Sequence, residues 1–334
     1  MQTSKEIVLR TLEFNNPERV ARQLWALPWA TTNYPEQMKQ INEDFDWDII
    51  HYIPKYKNPP KTTGDAYVIG TYVDEWGCVF ENTHDGVIGE VKDPLVDENW
   101  SDLSKIHIPV EWLDFEIDEI NKDIEKYKDK FVIGGPFPRP FERLQFIRKT
   151  ENLFIDLILK PEGMMNFIKS MHAFYCELLE KWAQTNVDAL FIMDDWGSQN
   201  ALLINPNMWV DMFKPLYKDY IDIAHKHGKK IFMHSDGNTL DIYPHLIELG
   251  LDAINSQLFC MGIDNLVQFK GKITFWGEID RQNLLPNGSV EDINKAVKEV
   301  KSKLWANGGC IAQCEFGPGA KPENVYEVYK AWNE

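Results

Sequence analysis

The feature that most constrains the fold is a regular alternation of short apolar runs with amphipathic stretches along the second half of the chain. The apolar runs have the length of buried strands, and the stretches between them have helical periodicity with recognisable helix ends. Strands that alternate with helices in this way form parallel sheets. The runs are 189–193, 230–233, 252–255, 273–276 and 310–313.

Three earlier apolar runs, 20–27, 48–53 and 131–133, bring the number of predicted strands to eight. Eight parallel strands close a TIM (β/α)8 barrel, so we expect this fold, with an N-terminal helix before the first strand and one domain over residues 1–334. The segment at about 67–95 differs, because apolar residues alternate there and a turn signal, Thr83-His84-Asp85-Gly86, follows. This segment predicts an inserted β-hairpin over one mouth of the barrel.

Composition excludes several classes of function. The 334 residues include 35 basic and 52 acidic ones, and the formal net charge of −17 argues against a nucleic-acid partner. No stretch approaches the roughly 20 apolar residues of a membrane helix, and the N-terminus does not have the pattern of a signal peptide, so we expect a cytoplasmic protein without a membrane partner. The five cysteines form an odd, unclustered set, which is untypical of a disulfide framework.

Polar residues follow several predicted strands, at the edge where a TIM barrel carries its active site. A lone Asp or Asn at such a position is most often a helix cap. Histidine, cysteine and carboxylates on several strand ends are instead the ligands that zinc prefers, and a barrel mouth leaves a coordination position open. The residues of interest that follow the predicted strands are Asp194, Asp195, Trp196, Gln199, His234, Asp236, Asn255, Gln257, Glu278 and Cys314.

Three of these residues form the predicted zinc site, namely His234, Glu278 and Cys314. The third ligand is open between Glu278, which has a strand end of its own, and Asp236, which could equally support His234 or cap a turn. His234 has an alternative role as a hydrogen-bonded core histidine, and Cys314 as a small buried apolar residue.

Asp194 and Asp195 cannot both be buried and ionised without a countercharge, so at least one of them is expected to bind a cation or hold a proton, unless Asp195 faces solvent. Together with Asp236 they are the candidate catalytic residues. Arg143 could bind a substrate carboxylate or pair with Glu142. The aromatic content is high, at 12 Trp, 12 Tyr and 18 Phe. The remaining candidates for substrate binding are Trp25, Trp29, Asp74, Trp76, Trp196, Gln199, Asn255, Gln257 and Trp276.

Nearly the whole chain resembles the uroporphyrinogen decarboxylase superfamily and, within it, the corrinoid-dependent methyltransferase branch. The opening, through Asn16-Pro17-Glu18-Arg19-Val20, is similar to the N-terminal helix and turn of these proteins. His234 and Cys314 match the positions of a zinc-ligating histidine and cysteine. The segment Pro322-Glu323-Asn324-Val325 is similar to the start of the family's last helix.

Two departures from the family refine what the resemblance implies. Asp236 stands where thiol-methylating members have a cysteine, so the metal would be harder and better suited to polarise an oxygen. Arg22-Gln23 continues into an apolar segment, whereas true uroporphyrinogen decarboxylases continue an arginine-rich motif that holds propionates, so we do not expect porphyrinogen decarboxylation. With tryptophans at the mouth, the chain resembles O-demethylase methyltransferases that act on methoxylated aromatic compounds.

The resemblance therefore implies a zinc enzyme that passes a methyl group from a methoxylated aromatic substrate to the Co(I) of a corrinoid (cobalamin) carried by a separate protein. Asp194 or Asp195 would orient or protonate the leaving oxygen. One alternative is a metal-free decarboxylase of another small acid, which uses the aspartates and Arg143. Another is a non-catalytic barrel that binds an aromatic ligand. The oligomeric state is open between a monomer and a homodimer.

Overall fold

The computed structural model describes residues 1–333 and contains a nearly closed barrel of eight parallel strands, with a separate three-stranded sheet. The strands are β1 (Ala21–Ala26), β2 (Ile49–Tyr52), β3 (Gly70–Val73), β4 (Val79–Asn82), β5 (Glu90–Asp93), β6 (Phe131–Gly134), β7 (Ala189–Met193), β8 (Lys230–Ser235), β9 (Ala253–Ser256), β10 (Thr274–Trp276) and β11 (Cys310–Phe316). The barrel order is β1-β11-β10-β9-β8-β7-β6-β2, which confirms the predicted TIM barrel and all eight predicted strands.

Asp48 connects the two strands at the ends of this order, β1 and β2. Its main-chain N–H donates to the Arg22 carbonyl at 2.9 Å, and its carboxylate accepts the Arg22 N–H at 2.8 Å. The same carboxylate forms an ion pair with Arg19 at 2.7 Å. The buried Asp48 therefore connects β1 and β2, which are not paired with each other as strands.

Side chains alternate between the inside of the barrel and the layer of helices around it, because successive residues of a strand point to opposite faces. The interior contains Phe131, Phe191, Phe232 and Trp276, all of them buried. Ile7 and its neighbours on the first helix belong to this interior cluster, so the predicted N-terminal helix closes the amino-terminal end of the barrel.

Helices follow most barrel strands and cover the outer face. They are α1 (Ser4–Leu12), α2 (Pro28–Asn33), α3 (Pro35–Asp44), α4 (Ile117–Ile124), α5 (Pro140–Arg148), α6 (Thr150–Leu159), α7 (Glu162–Ala183), α8 (Pro206–Met212), α9 (Lys214–Lys226), α10 (Tyr243–Leu249), α11 (Leu258–Met261), α12 (Ile263–Leu266), α13 (Leu284–Asn287), α14 (Val290–Leu304) and α15 (Pro322–Ala331). Four short 3-10 helices lie at Val110–Leu113, Glu125–Tyr127, Leu240–Ile242 and Val267–Phe269. Within residues 1–333, no helix has the length and apolar character needed to cross a membrane.

The predicted hairpin is part of an insertion between β2 and β6 and has one strand more than expected. β3 pairs with β4 and β4 with β5, both antiparallel, and the turn signal at 83–86 lies in the loop between β4 and β5. Trp76 and Phe80 of the insertion are buried in the main core. The insertion is therefore packed against the barrel and not merely attached to it.

Arg148, at the end of α5, anchors the segment that returns from the insertion. Its Nε donates to the Asp156 carboxylate at 2.6 Å, and its guanidinium also donates to the main-chain carbonyls of Val96, Asp97 and Glu98. Trp100 donates its indole N–H to the same Asp156 carboxylate at 2.8 Å. Because both charged side chains are buried, each depends on the other for its countercharge.

Replacing Arg148 by alanine should therefore destabilise the protein strongly, by about 3–5 kcal/mol, since it leaves the buried Asp156 charge unpaired. Ser289→Ala is the comparison: Ser289 caps α14 in a capping box with Asp292, and its loss should cost about 1 kcal/mol. Denaturant unfolding of both variants measures the difference. Equal, small losses would show that Arg148 does not anchor the insertion.

Candidate metal centre at the barrel mouth

The two aspartates that follow β7 point in opposite directions. Met193 and Asp195 face the inside of the barrel, whereas the side chains of Asp194 and Trp196 face the helical layer. The alternation thus continues for three residues beyond the end of β7. Only Asp195 of the predicted pair reaches the mouth.

Asp195 meets His234 and Asp236 at the carboxyl end of β7 and β8. The His234 Nε2 atom lies 3.5 Å from Asp195 Oδ1 and 3.6 Å from Asp236 Oδ1, and the ligand atoms of the three residues lie within 4.8 Å of one another. The His234 side chain is 5% exposed, whereas those of Asp195 and Asp236 are 32% and 28% exposed. The group, which we call the triad, is therefore held from below by a buried imidazole and is open to solvent on its carboxylate side.

Asn255 on β9 fixes the orientation of the His234 ring. The Asn255 side chain donates to the Trp276 carbonyl at 2.6 Å, so its Oδ1 is the atom that faces His234 Nδ1, also at 2.6 Å. Nδ1 must then carry the proton and donate it to Asn255, which leaves the lone pair of neutral imidazole on Nε2. Histidines that bind metals are commonly oriented in this way by a second hydrogen bond.

The resulting arrangement needs a cation. With the proton on Nδ1, the Nε2 lone pair and two carboxylate oxygens face the same small volume, and these acceptors repel one another. A divalent metal ion there, or a second proton on His234, supplies the missing positive charge. One imidazole and two carboxylates fit zinc and harder divalent metals, so the residues present fit a metal ion.

Main-chain contacts hold the triad loops together. The Asp236 N–H donates to Asp195 Oδ1 at 2.9 Å, and the Gly197 N–H donates to the Asp236 carbonyl at 3.0 Å. Gly237 has a φ of +76°, and a Cβ atom built on it would lie 2.1 Å from the Gly197 carbonyl oxygen. The loops that follow β7 and β8 therefore touch backbone to backbone, which sets the spacing of the two carboxylates.

Arg281 is bound on three sides by carboxylates. It contacts Asp236, lies 3.0 Å from Glu315 and 3.5 Å from Glu278. Burial raises the pKa of Glu278 well above its ordinary value, against the opposing charge of Arg281. Burial likewise raises the pKa of Glu315. Arg281 thus fixes Asp236 Oδ2 and leaves Oδ1 directed towards His234.

The predicted zinc ligands His234, Glu278 and Cys314 are not brought together. Cys314 is fully buried on the outer face of β11, where its Sγ lies 3.5 Å from the Tyr329 hydroxyl of α15. Burial raises the pKa of its thiol to about 12, which favours the neutral form. Glu278 is turned towards Arg281. Asp236, the alternative to Glu278, is the residue that the structure places beside His234.

The Asp194 side chain is engaged by hydrogen bonds in the helical layer. Its carboxylate accepts the main-chain N–H groups of Phe141 and Glu142 in the first turn of α5, at 2.9 and 2.7 Å, and the Tyr217 hydroxyl at 2.7 Å. Burial nevertheless raises the pKa of Asp194 to about 8. This side chain connects β7 to α5 and α9 and does not reach the mouth.

The predicted tryptophans divide into two groups. Trp25 and Trp276 lie beside the triad: the Trp25 ring is 5.1 Å from the His234 ring and 5.3 Å from the Trp276 ring. Trp29 is half-buried on α2, and its main-chain N–H donates to the main-chain carbonyl of Gly86 in the insertion. Trp76 and Trp196 are fully buried in the helical layer. Contrary to the expectation, they do not line the open mouth.

Gln199 and Gln257 are near the triad, as predicted. Gln199 donates to Gln257 at 3.2 Å, and Gln257 donates to Asp236 Oδ1 at 3.3 Å. Arg143 pairs with Asp74 and not with Glu142, and its guanidinium stacks on Trp76. A substrate carboxylate at Arg143 would have to displace this buried ion pair.

Two cavities are lined by residues of the insertion. Asp195 and Glu142 line a groove of about 700 Å³ between α5 and the third strand of the insertion. A second cavity, of about 280 Å³, lies beneath the insertion and is lined mainly by aromatic side chains, with Arg139 in its wall. We call it the aromatic cavity. Arg139 Nη2 lies 3.1 Å from the sulfur of Met193, two residues before Asp195.

Arg281, Glu315 and Glu142 complete the site but were not singled out from the sequence as functional residues. For Glu315 a signal exists, because the interior positions of β11 are every second residue from Ile311, and Glu315 is among them whereas Cys314 is not. Arg281 and Glu142 lie beyond regular strand structure, where the period of two gives no guidance.

Comparison with solved structures agrees with the fold. The chain is similar to a methyltransferase from Methanosarcina mazei, with a TM-score of 0.71, 15% identity, and coverage of 100% of this chain and 99% of that chain. Weaker similarity exists to xylanase 10B from Thermotoga petrophila, with a TM-score of 0.45, 9% identity, and coverage of 100% and 98%. An endo-β-1,4-xylanase from Gloeophyllum trabeum has a TM-score of 0.45, 10% identity, and coverage of 97% and 99%.

Family comparison is more specific. No curated protein sequence matches the chain significantly. Residues 71–334 match the uroporphyrinogen decarboxylase (URO-D) family, and this range contains most of the insertion, the triad and all barrel strands after β2. The sequence resemblance is thereby confirmed at the level of the family: the chain belongs to the uroporphyrinogen decarboxylase (URO-D) family.

Proposed function

We propose that the protein is a zinc-dependent methyltransferase that moves a methyl group from a methoxylated aromatic compound to the Co(I) of a separate corrinoid protein. The observation that carries the proposal is the triad, in which Nε2 of His234 faces the carboxylates of Asp195 and Asp236 at the barrel mouth. The similarity of fold to a methyltransferase supports the reaction class.

His234, Asp195 and Asp236 would hold the zinc ion, with one imidazole nitrogen and two carboxylate oxygens as ligands. When bound, zinc would act as a Lewis acid for the negative charge that develops on the ether oxygen as its bond to the methyl carbon breaks. This ligand set is harder than the predicted one because it contains no sulfur, and it suits an oxygen leaving group better than a thiol.

The side chains around the triad have separate tasks in this proposal. Trp25 and Trp276 form an apolar wall beside His234 that excludes water from one side of the reacting group. Arg281 and Gln257 hold the two oxygens of Asp236 in place. Asp194 stabilises the position of β7 relative to α5, so only Asp195 of the predicted catalytic pair would belong to the site, as a zinc ligand.

The corrinoid partner would approach over the open side of the triad, next to the insertion. Large apolar side chains of this region are exposed, among them Ile53, Ile69 and Ile88, which are 59%, 59% and 51% exposed. Exposed apolar side chains grouped at one edge are typical of surfaces that bind another protein. They support docking at this edge of the mouth.

The first alternative, a metal-free decarboxylase, is supported by the family match. However, two residues that this alternative would use are engaged in structural contacts. Arg143 is paired with Asp74, and Asp194 caps α5, so neither is placed to act on a small acid. A non-catalytic barrel that binds an aromatic compound predicts binding without turnover. The two experiments that follow separate these alternatives from methyl transfer.

Metal analysis tests the triad. After loading with zinc and dialysis, the wild-type protein should retain about one zinc ion per chain, and His234→Ala, Asp195→Ala or Asp236→Ala should lose most of it, since three protein ligands are the usual minimum at a catalytic zinc site. Cys314→Ser is the matched control and should retain zinc, because its side chain faces the helical layer. Elemental analysis by mass spectrometry measures the content. Loss of zinc in C314S with retention in D236A would overturn this ligand set.

Methyl transfer tests the function directly. The zinc-loaded protein should consume free cob(I)alamin in the presence of members of a methoxyarene panel, seen as loss of the Co(I) absorbance. His234→Ala should slow this at least about 100-fold, in line with removal of a group that stabilises charge in the transition state. C314S should react at nearly the wild-type rate. Full turnover by the zinc-free protein would contradict the proposal, and tight ligand binding with no turnover by the loaded protein would favour the non-catalytic alternative.

A further inference from the structure

The aromatic cavity contains one carboxylate that nothing in the described chain neutralises. Its lining includes two arginines and two acidic residues. Arg143 forms an ion pair with Asp74, and Arg139 lies 3.2 Å from Glu142. Glu75 lines the cavity, but within residues 1–333 its carboxylate takes part in no hydrogen bond or ion pair. After burial, the negative charge of Glu75 is the next cause that raises the pKa of Tyr56 and of Tyr72.

A second polar group in the same wall has no partner. The Tyr56 hydroxyl oxygen is buried and makes no hydrogen bond within the described residues. Burial, reinforced by the charge of Glu75, raises the pKa of Tyr56, so this hydroxyl stays protonated and can donate. A buried donor without a partner has a free-energy cost that a bound hydrogen-bond acceptor would remove, and the Glu75 carboxylate is available as an acceptor in the same wall.

The rest of the lining suits a flat ring. Tyr72, Phe80, Phe137 and Phe146 contribute aromatic surface, and Trp112 closes one side. The volume of about 280 Å³ is sufficient for one substituted benzene ring. Aromatic rings gain from contact with other rings in addition to the burial of their area.

The charges select among aromatic ligands. A ligand carboxylate would be repelled by the Glu75 carboxylate, and neither arginine would be free to compensate it because both are already paired. A ligand cation would compete for ring faces with these arginines, since the Arg139 guanidinium lies 5.0 Å from the Phe137 ring centre and that of Arg143 lies 5.3 Å from the centre of Phe146. A neutral ring with a hydroxyl group satisfies Glu75 as an acceptor and adds no charge.

We propose that the aromatic cavity is the substrate subsite for a phenolic ring, whose hydroxyl donates a hydrogen bond to Glu75 and accepts one from Tyr56. The inference rests on the proposed function for the identity of the other ring substituent, a methoxy group. It makes Glu75 a residue that determines specificity for methoxyphenols over methoxybenzoates and over neutral ethers without a hydroxyl.

Calorimetric titration of the full-length protein tests the subsite without any methyl transfer. The probes are 2-methoxyphenol, methoxybenzene, 4-methoxybenzoate and trimethylanilinium. We expect 2-methoxyphenol to bind at least about tenfold more tightly than the other three, because a hydrogen bond to a charged acceptor distinguishes it. Tighter binding of the benzoate or of the cation, or no binding of any ring, would overturn the proposal.

Glu75→Gln should remove this preference and weaken 2-methoxyphenol binding about tenfold, and Tyr56→Phe should weaken it by a smaller factor. Glu81→Gln is the matched control, because Glu81 is an exposed acid on β4 of the same insertion, and its binding should equal that of the wild type. Equal melting temperatures establish that the variants are folded. Unchanged binding in both E75Q and Y56F would contradict the assignment.

Two results distinguish failure of the subsite from failure of the proposed methyltransferase function. Glu75-dependent binding of 2-methoxyphenol without any methyl transfer would sustain the subsite and reject the methyltransferase. Methyl transfer from methoxyarenes that is the same in E75Q and wild type would sustain the function and reject the subsite.

Discussion

The alternation of side chains at the ends of the barrel strands is the constraint on which the site depends. In a closed parallel barrel each successive residue faces either the interior and the mouth or the surrounding helices. At the end of β7 this separates Asp195, which reaches the triad, from Asp194, which binds the first turn of α5. At the end of β11 it separates Glu315 at the mouth from Cys314 against Tyr329.

Charge balance is the second constraint. The mouth gathers Asp195, Asp236, Glu278 and Glu315 around one imidazole and one guanidinium, Arg281. Arg281 compensates the carboxylates on one side, and the hydrogen bond from His234 to Asn255 leaves the other side with an uncompensated set of acceptors. A metal ion at the triad would complete the balance, as would a second proton on His234, and the metal ion is the option that fits the proposed chemistry.

Much of the fold could be predicted because apolar runs and helix caps are local signals. All eight barrel strands, the N-terminal helix and the position of the insertion follow from periodicity. His234 and Asp236 could be placed on one side by their spacing of two. The same rule, applied to 313–315, would have favoured Glu315 over Cys314, but the resemblance to the family gave Cys314 the greater weight. Trp196 follows a strand and Trp76 lies in the inserted segment, which favours positions at the mouth, whereas contacts distant in sequence bury them beside Phe141 and Arg143.

In the proposed site, zinc is bound through nitrogen and oxygen atoms only. X-ray absorption at the zinc edge of the zinc-loaded wild-type protein measures this most directly. We expect a shell of nitrogen and oxygen atoms at about 2.0–2.2 Å and no sulfur, because Cys314 packs against Tyr329 in the helical layer. A sulfur scatterer at about 2.3 Å would contradict it and would return Cys314 to the ligand set.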